Sequence, residues 1–330
     1  MTSNIQELTH VENLIPPPVP PPVQEDLFGS SYYLEELDRP YKAVPDVGYK
    51  SSFSSDKREP IPQITVPKHL HHFEVLPSCC SGYIMGRCFN GHHFAKAILC
   101  GKEFCVDCGK NWSWIHQRRH YRWLPKVKSM RTVGYLVVTI PPEARSFILD
   151  KQRLSDFRRY CIRLLKREGF ERGLARWHWC GEDGYNWHPH LNFLFPGAWM
   201  SREKLAELRN KICAKLSSMS KKPLKTVVVN YSYSDQVHKK KHWCKYVTRS
   251  TWRKFSEPLA HVMKGYTNNV TGGEWKSKVK DNSVAKLERG CCPLCDAPIT
   301  WAAFTGEINK EDWTLLKAGY FVWNYKEPDP

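Results

Sequence analysis

Apolar residues recur along this chain in two rhythms, and the order in which they alternate outlines a fold. Residues 134–140 (GYLVVTI) are β-branched and unbroken up to Pro141-Pro142, which predicts a buried strand. Leu154, Phe157, Cys161, Leu164 and Leu165 then return at helical spacing, with arginines between them, as far as Gly169. Residues 174–182 predict a second strand, 183–186 a turn, and 187–195 a third strand that Pro196-Gly197 ends. Ser201 predicts the N-cap of a helix with Leu205, Leu208, Ile212 and Leu216 on one side. Pro223 precedes a short strand at 226–229, and Asp235 predicts the cap of a basic helix running to about Thr248. The order is β-α-β-β-α-β and one further helix. It predicts an α+β fold: a ferredoxin-like, split βαβ antiparallel sheet with helices on one face, the last helix covering the other.

The third strand carries the chemistry. Strand alternation puts Leu191, Phe193 and Phe195 on one face and His188 and His190 on the other, with the two histidine Cα atoms ~6–7 Å apart. Two imidazoles so placed can share a divalent cation. A third ligand is expected from the neighbouring strand. A five-residue loop (183–187) would set Glu182 opposite His188 and Cys180 opposite His190, placing His178, Cys180 and Glu182 on the metal face. His178 is the preferred ligand of the three and Glu182 the second. On the final helix, Tyr246 and Arg249 stand three residues apart and share a face. A tyrosine beside a metal suggests attack on phosphorus, with Arg249 stabilising the phenolate or the charge building on the phosphate.

The flanks differ in character. Residues 1–72 are rich in Pro and Ser, include a polyproline stretch at 15–23, and are expected to be a disordered arm. Cysteines begin at Cys79-Cys80. Cys105 and Cys108 form a CxxC-Gly knuckle that completes a four-thiolate zinc set with Cys88 and Cys100. Cys79 or Cys80 could substitute in that set, and His92 and His93 are near in sequence. Residues 112–128 read as a basic helix, either meeting DNA phosphate or presenting a solvated face. A second knuckle, Cys292 with Cys295, could complete the first zinc site, pair with thiols left over there, or bind nothing. The expected parts are the arm (1–72), a zinc module with its basic helix (73–130), a catalytic domain (131–255) and a basic C-terminal segment (256–330).

Composition adds a partner. Lys and Arg number 50 against 33 Asp and Glu, a net charge of +17, with 13 Trp and 15 Tyr among the basic residues. Cations interleaved with stacking rings suit a nucleic-acid groove. Thirteen cysteines without an export signal point to metal or free thiols, and no apolar run is long enough to span a membrane. The expectation is a cytoplasmic, nucleoid-associated protein. No GxxxxGK[ST] pattern, and so no helicase, is present.

Over about residues 80–255 the chain resembles the rolling-circle replication initiators of plasmids and phages, within the HUH endonucleases. The likeness rests on the Cys105/Cys108 module, Thr139-Ile140-Pro141 closing the first strand, His188-Pro189-His190-Leu191-Asn192, and Lys245-Tyr246-Val247-Thr248-Arg249. Arg249 stands where many members have lysine. The resemblance implies a single-tyrosine DNA nicking and joining enzyme that passes through a 5′-phosphotyrosine intermediate. It implies Mg2+ or Mn2+ at the HxH site beside Zn2+ at the cysteines. The implied partners are origin and single-stranded DNA and the host's replication helicase and polymerase. Tyr231 and Tyr233 are reserve nucleophiles. Two other readings fit the same residues: a transposase or mobilisation relaxase, and a non-catalytic, zinc-stabilised DNA-binding protein.

Overall fold

The computed structural model describes residues 82–101, 105, 107–180, 187–250, 263, 265–273, 282–304, 308–309 and 311–324. The proline-rich arm, Cys79, Cys80 and the 181–186 loop with Glu182 lie outside the described residues. The fold is α+β, with two antiparallel five-stranded sheets. No described helix is long and apolar enough to cross a membrane.

The central sheet is built from β3 (Val133–Thr139), β4 (Gly173–Cys180), β5 (Trp187–Pro196), β6 (Val228–Ser234) and β7 (Val270–Gly272), in the order β6-β3-β5-β4-β7. Helix α2 (Lys151–Arg167) joins β3 to β4, and α3 (Arg202–Ser220) joins β5 to β6. Asp150 caps α2 by accepting from the Gln152 and Arg153 N–H groups, and Ser201 caps α3 by accepting from Lys204. Alternation along β5 does what the sequence pattern expects. Leu191, Phe193 and Phe195 pack with Phe157, Cys161 and Leu164 of α2 and with Leu208, Ile212 and Leu216 of α3. The opposite face of the sheet is covered by α1 (Trp114–Lys128) and α4 (Val237–Thr248), where Leu174 and Leu194 meet Trp123, Val127, Cys244 and Val247. Both faces are therefore covered at the middle of the sheet, where β5 lies, while Val228 and Tyr233 of the edge strand β6 stay exposed.

Several boundaries differ from expectation. The strand expected at 226–229 is β6, which begins at Val228 and runs on through Tyr231 and Tyr233, because its whole length pairs with β3. Asp235 does not cap α4. Gln236 holds that position without a side-chain hydrogen bond, and Ser234 Oγ instead accepts from the Gln236 N–H. The basic helix at 112–128 is neither solvated nor free for phosphate at its core arginines. Arg118 is buried and donates to the carbonyls of Ala97 and Ala318, both at 2.9 Å, while buried Arg119 donates to Thr248 O at 3.0 Å.

The C-terminal segment is not separate from the cysteine module. β1 (Tyr83–Cys88) and β2 (His93–Ala97) share a sheet with β8 (Ile299–Phe304), β9 (Trp313–Lys317) and β10 (Tyr320–Trp323), in the order β8-β1-β2-β10-β9. The expected boundary at 256 is thus crossed by strand pairing, β1 with β8 and β2 with β10. The central sheet is inserted between the two halves of this module. A short helix, α5 (Ser283–Glu288), ends in Glu288, which takes the Tyr320 hydroxyl and an ion pair from Arg122 of α1.

At the rim of the central sheet two backbones touch. Gly134 of β3 and Gly197 beyond β5 lie back to back, and a Cβ on Gly197 would fall inside contact distance of the Gly134 Cα and N. Gly197→Ala is expected to destabilise the fold by about 1–3 kcal/mol through overpacking, read as a lowered Tm. An unchanged Tm would contradict this contact.

Candidate active site and metal centres

The hairpin of β4 and β5 sets the register of the histidines. His178 pairs directly with His190, and a bulge follows before Cys180 pairs with Trp187. Cys180 was expected opposite His190. The pairing is shifted by two residues, which preserves the face because side chains alternate with a period of two. His178 and His190 thus meet on the face covered by α4, with ring centroids 5.1 Å apart, and the half-buried His188 ring lies 5.7 Å from His190.

Each buried histidine has one nitrogen committed. His178 Nε2 donates to Val247 O at 3.0 Å, and its Nδ1 is buried with no hydrogen-bond partner. His190 Nδ1 donates to His188 O at 2.8 Å. These bonds assign the remaining lone pairs to His178 Nδ1 and His190 Nε2. Burial, followed by the Arg249 charge, holds His178 well below the usual imidazole range, and burial pushes His190 down to about 3. Both are therefore neutral, the state in which imidazole can ligate metal.

Tyr246 lies against His178. Its ring is 5.3 Å from that of His178 and 6.3 Å from that of Tyr135. Arg249 follows the last turn of α4 as its C-cap. Its Nη2 donates to Tyr246 Oη at 3.2 Å, and the guanidinium lies 4.1 Å from the ring centroid. The reserve tyrosines lie on the opposite face of the sheet. Tyr231 stacks on Phe195 at 6.0 Å and donates to Ala198 O, and burial pushes its phenol up to about 12. Tyr233, two residues on, shares that face and stacks on Tyr231.

Helix α4 ends inside the protein, where its last carbonyls have no water to meet. Side chains from two elements, α1 and β4, supply donors. His116 reaches Lys245 O at 3.0 Å, His178 reaches Val247 O, Arg119 reaches Thr248 O, and Arg176 reaches Arg249 O at 3.1 Å. Two of the donors are cations, which suits the negative end of the helix dipole. Arg119 and Arg176 were not foreseen from the sequence, since a buried arginine on a carbonyl leaves no periodic signature. The Tyr246–Arg249 turn is thereby held from below by α1 and β4.

Buried neutral histidines make stability depend on pH. Burial drives His120 down to about 3 and His116 well below 6.5. In the unfolded chain both titrate near 6.5. The stability held in their neutral forms is therefore complete above that pH. It is lost as pH falls below about 6.5, at ~1.4 kcal/mol per pH unit for each histidine until that histidine's own lowered pKa is reached. A Tm series at pH 7.5, 6 and 5 is expected to fall steadily, and a flat series would contradict neutral burial.

The expected four-thiolate set is divided. Cys88 is gathered with His92, Cys292 and Cys295, and their ligand atoms all lie within 4.8 Å of one another. Cys100, Cys105 and Cys108 form a second group among the described residues, with Cys100 and Cys108 Sγ at 3.6 Å. The division arises because β1 pairs with β8, which brings the second knuckle to the end of β1 where Cys88 stands. Either cluster can hold a metal ion such as zinc. The Ala297 N–H draws the Cys295 thiol down to about 7, while burial pushes Cys292 up to about 12. The second group adjoins the tyrosine helix, since Cys108 O accepts from Ser113 Oγ at 2.7 Å and from Ser250 Oγ at 3.4 Å.

Comparison of the chain with protein-family models, with curated proteins and with solved structures finds no match.

Proposed function

We propose that the chain is a metal-dependent single-strand DNA endonuclease and strand transferase of the HUH type, acting as an initiator of rolling-circle replication. The observation that carries this reading is the placement of the Tyr246 phenol, hydrogen-bonded by Arg249, over the sheet face that bears His178 and His190. The strand order β6-β3-β5-β4, linked β-α-β-β-α-β, supports the ferredoxin-like reading of the central sheet. The +17 charge supports a nucleic-acid substrate.

The chemistry of the donor set suits a divalent cation, and closing three histidines on one ion asks for a small rearrangement, since His178, His188 and His190 are not among the groups of described residues whose ligand atoms all lie within 4.8 Å of one another. Two imidazoles on one ion place their ring centroids about 5 Å apart, and the buried Nδ1 of His178 has no other partner. His178, His188 and His190 would hold it, and Mg2+ or Mn2+ bound there would neutralise charge on the non-bridging oxygens of the scissile phosphate. The protein's own groups do the rest. A free phenol titrates near 10 and is a weak nucleophile. The Arg249 guanidinium, already on Oη, favours the phenolate once the proton has left for solvent. Oη forms a bond to phosphorus, the P–O3′ bond breaks, and the departing 3′ oxygen takes up a proton. The phosphate remains on Tyr246 as a 5′-phosphotyrosine ester, and attack by a 3′ hydroxyl reverses the step and rejoins the strand.

The test is covalent trapping. The full chain is incubated with single-stranded oligonucleotides from its own replicon and Mn2+ or Mg2+, then denatured. A protein–DNA adduct that disappears with chelator is expected. Tight binding without cleavage or adduct across origin-spanning DNA would overturn the reading in favour of a non-catalytic DNA-binding protein.

A further inference from the structure

We propose that Cys88, His92, Cys292 and Cys295 hold one zinc ion that closes the terminal module into a single unit, apart from the nicking chemistry. The spacing of the ligand atoms carries the inference. A tetrahedral ion with sulfur at about 2.3 Å and nitrogen at about 2.0 Å sets S···S edges of about 3.8 Å and S···N edges of about 3.5 Å. The Cys88–Cys295 sulfurs are 3.8 Å apart, and His92 Nδ1 lies 3.3, 3.5 and 3.6 Å from the sulfurs of Cys88, Cys295 and Cys292. Hydrogen bonding cannot account for this arrangement. One imidazole nitrogen offers a single hydrogen or a single lone pair, not three bonds to three sulfurs. A cation at the centre satisfies all four groups at once.

Both ligand pairs sit in turns built to present them. Between Cys88 and His92 the chain reverses through Gly91, at φ 86°, with the Gly91 N–H on Cys88 O at 3.0 Å. After Cys292 and Cys295 it reverses through Asp296, at φ 59°, with the Asp296 N–H on Cys292 O at 3.0 Å. Three thiolates and an imidazole at tetrahedral spacing select zinc over the hard cations of the phosphoryl site. Four protein ligands leave no open coordination position, so the ion is structural. Cys88 and Cys295 are 207 residues apart, and the central sheet lies between them in sequence. The zinc therefore joins the two strands of chain that enter and leave the inserted domain, beside the β1–β8 pairing.

The experiment is metal counting on the full chain, purified reduced and without chelator. Cys295→Ser and His92→Ala are each expected to carry one equivalent of zinc less than the unaltered protein, whatever their nicking activity. Unchanged zinc in both overturns the proposal. Should these variants fail to fold, His92→Cys keeps four ligands. Its cobalt-substituted form is expected to remain tetrahedral, with its visible bands displaced relative to cobalt in the unaltered chain as an S3N site becomes S4. Superimposable spectra overturn the assignment of His92.

Discussion

Tyr246→Phe is expected to leave a folded protein that binds single-stranded DNA and forms no covalent adduct. The substitution removes one oxygen, which accepts a hydrogen bond from the Arg249 guanidinium at 3.2 Å. The ring contacts to His178 and Tyr135 remain. Loss of the hydrogen bond from the charged Arg249 costs about 1.5–3 kcal/mol, so Tm is expected to fall without loss of the fold. On the proposed reading the chemistry loses its nucleophile, because the neighbouring Tyr135 phenol, with its ring 6.3 Å away, is engaged as a donor to Asn192 Oδ1 at 2.9 Å. Tyr231 and Tyr233 are on the far face of the sheet, with Tyr231 engaged on Ala198 O. Denaturing gels with and without metal check this. Adduct formation by Tyr246→Phe at the rate of the unaltered protein would move the nucleophile elsewhere.

The second large effect is expected at His190. It lies in the middle strand of the central sheet, buried, with Nδ1 tied to the His188 carbonyl. His190→Ala removes the Nε2 lone pair that this bond leaves available. Strand cleavage is expected to fall on the order of 10²-fold or more, since even partners behind a metal ligand matter at the 10–100-fold level. The Mn2+ concentration needed for half-maximal cleavage should rise in parallel. His178→Ala differs in kind, because it also strips the donor from buried Val247 O and loosens the end of α4. It should therefore lower Tm as well as cleavage. If His190→Ala retained both the rate and the metal response of the unaltered protein, the histidine face would not be the metal site.

Much of the central sheet was legible because its signals are local. The alternation of Leu191, Phe193 and Phe195 and the helical spacing of Leu154, Phe157 and Cys161 report burial within one element, and the structure packs them as read. The adjacency of Tyr246 and Arg249 was legible for the same reason. What was missed depends on pairing between distant segments. His92 and Cys295 meet only because β8 aligns against β1, and no spacing within either knuckle encodes that. The two-residue register shift at the histidine hairpin comes from a bulge between His178 and Cys180, which alternation does not reveal. Arg118 and Arg119 read as a basic surface until the carbonyls of Ala97, Ala318 and Thr248 show where their charge is solvated.

The most direct measurement is the identity of the residue that carries DNA. The trapped adduct would be digested with nuclease and protease, and the nucleotide-bearing peptide sequenced by mass spectrometry. A phosphodiester mass on Tyr246 is the predicted result. The same mass on Tyr231, Tyr233 or any other residue, or DNA cleaved with no modified peptide, would contradict the account.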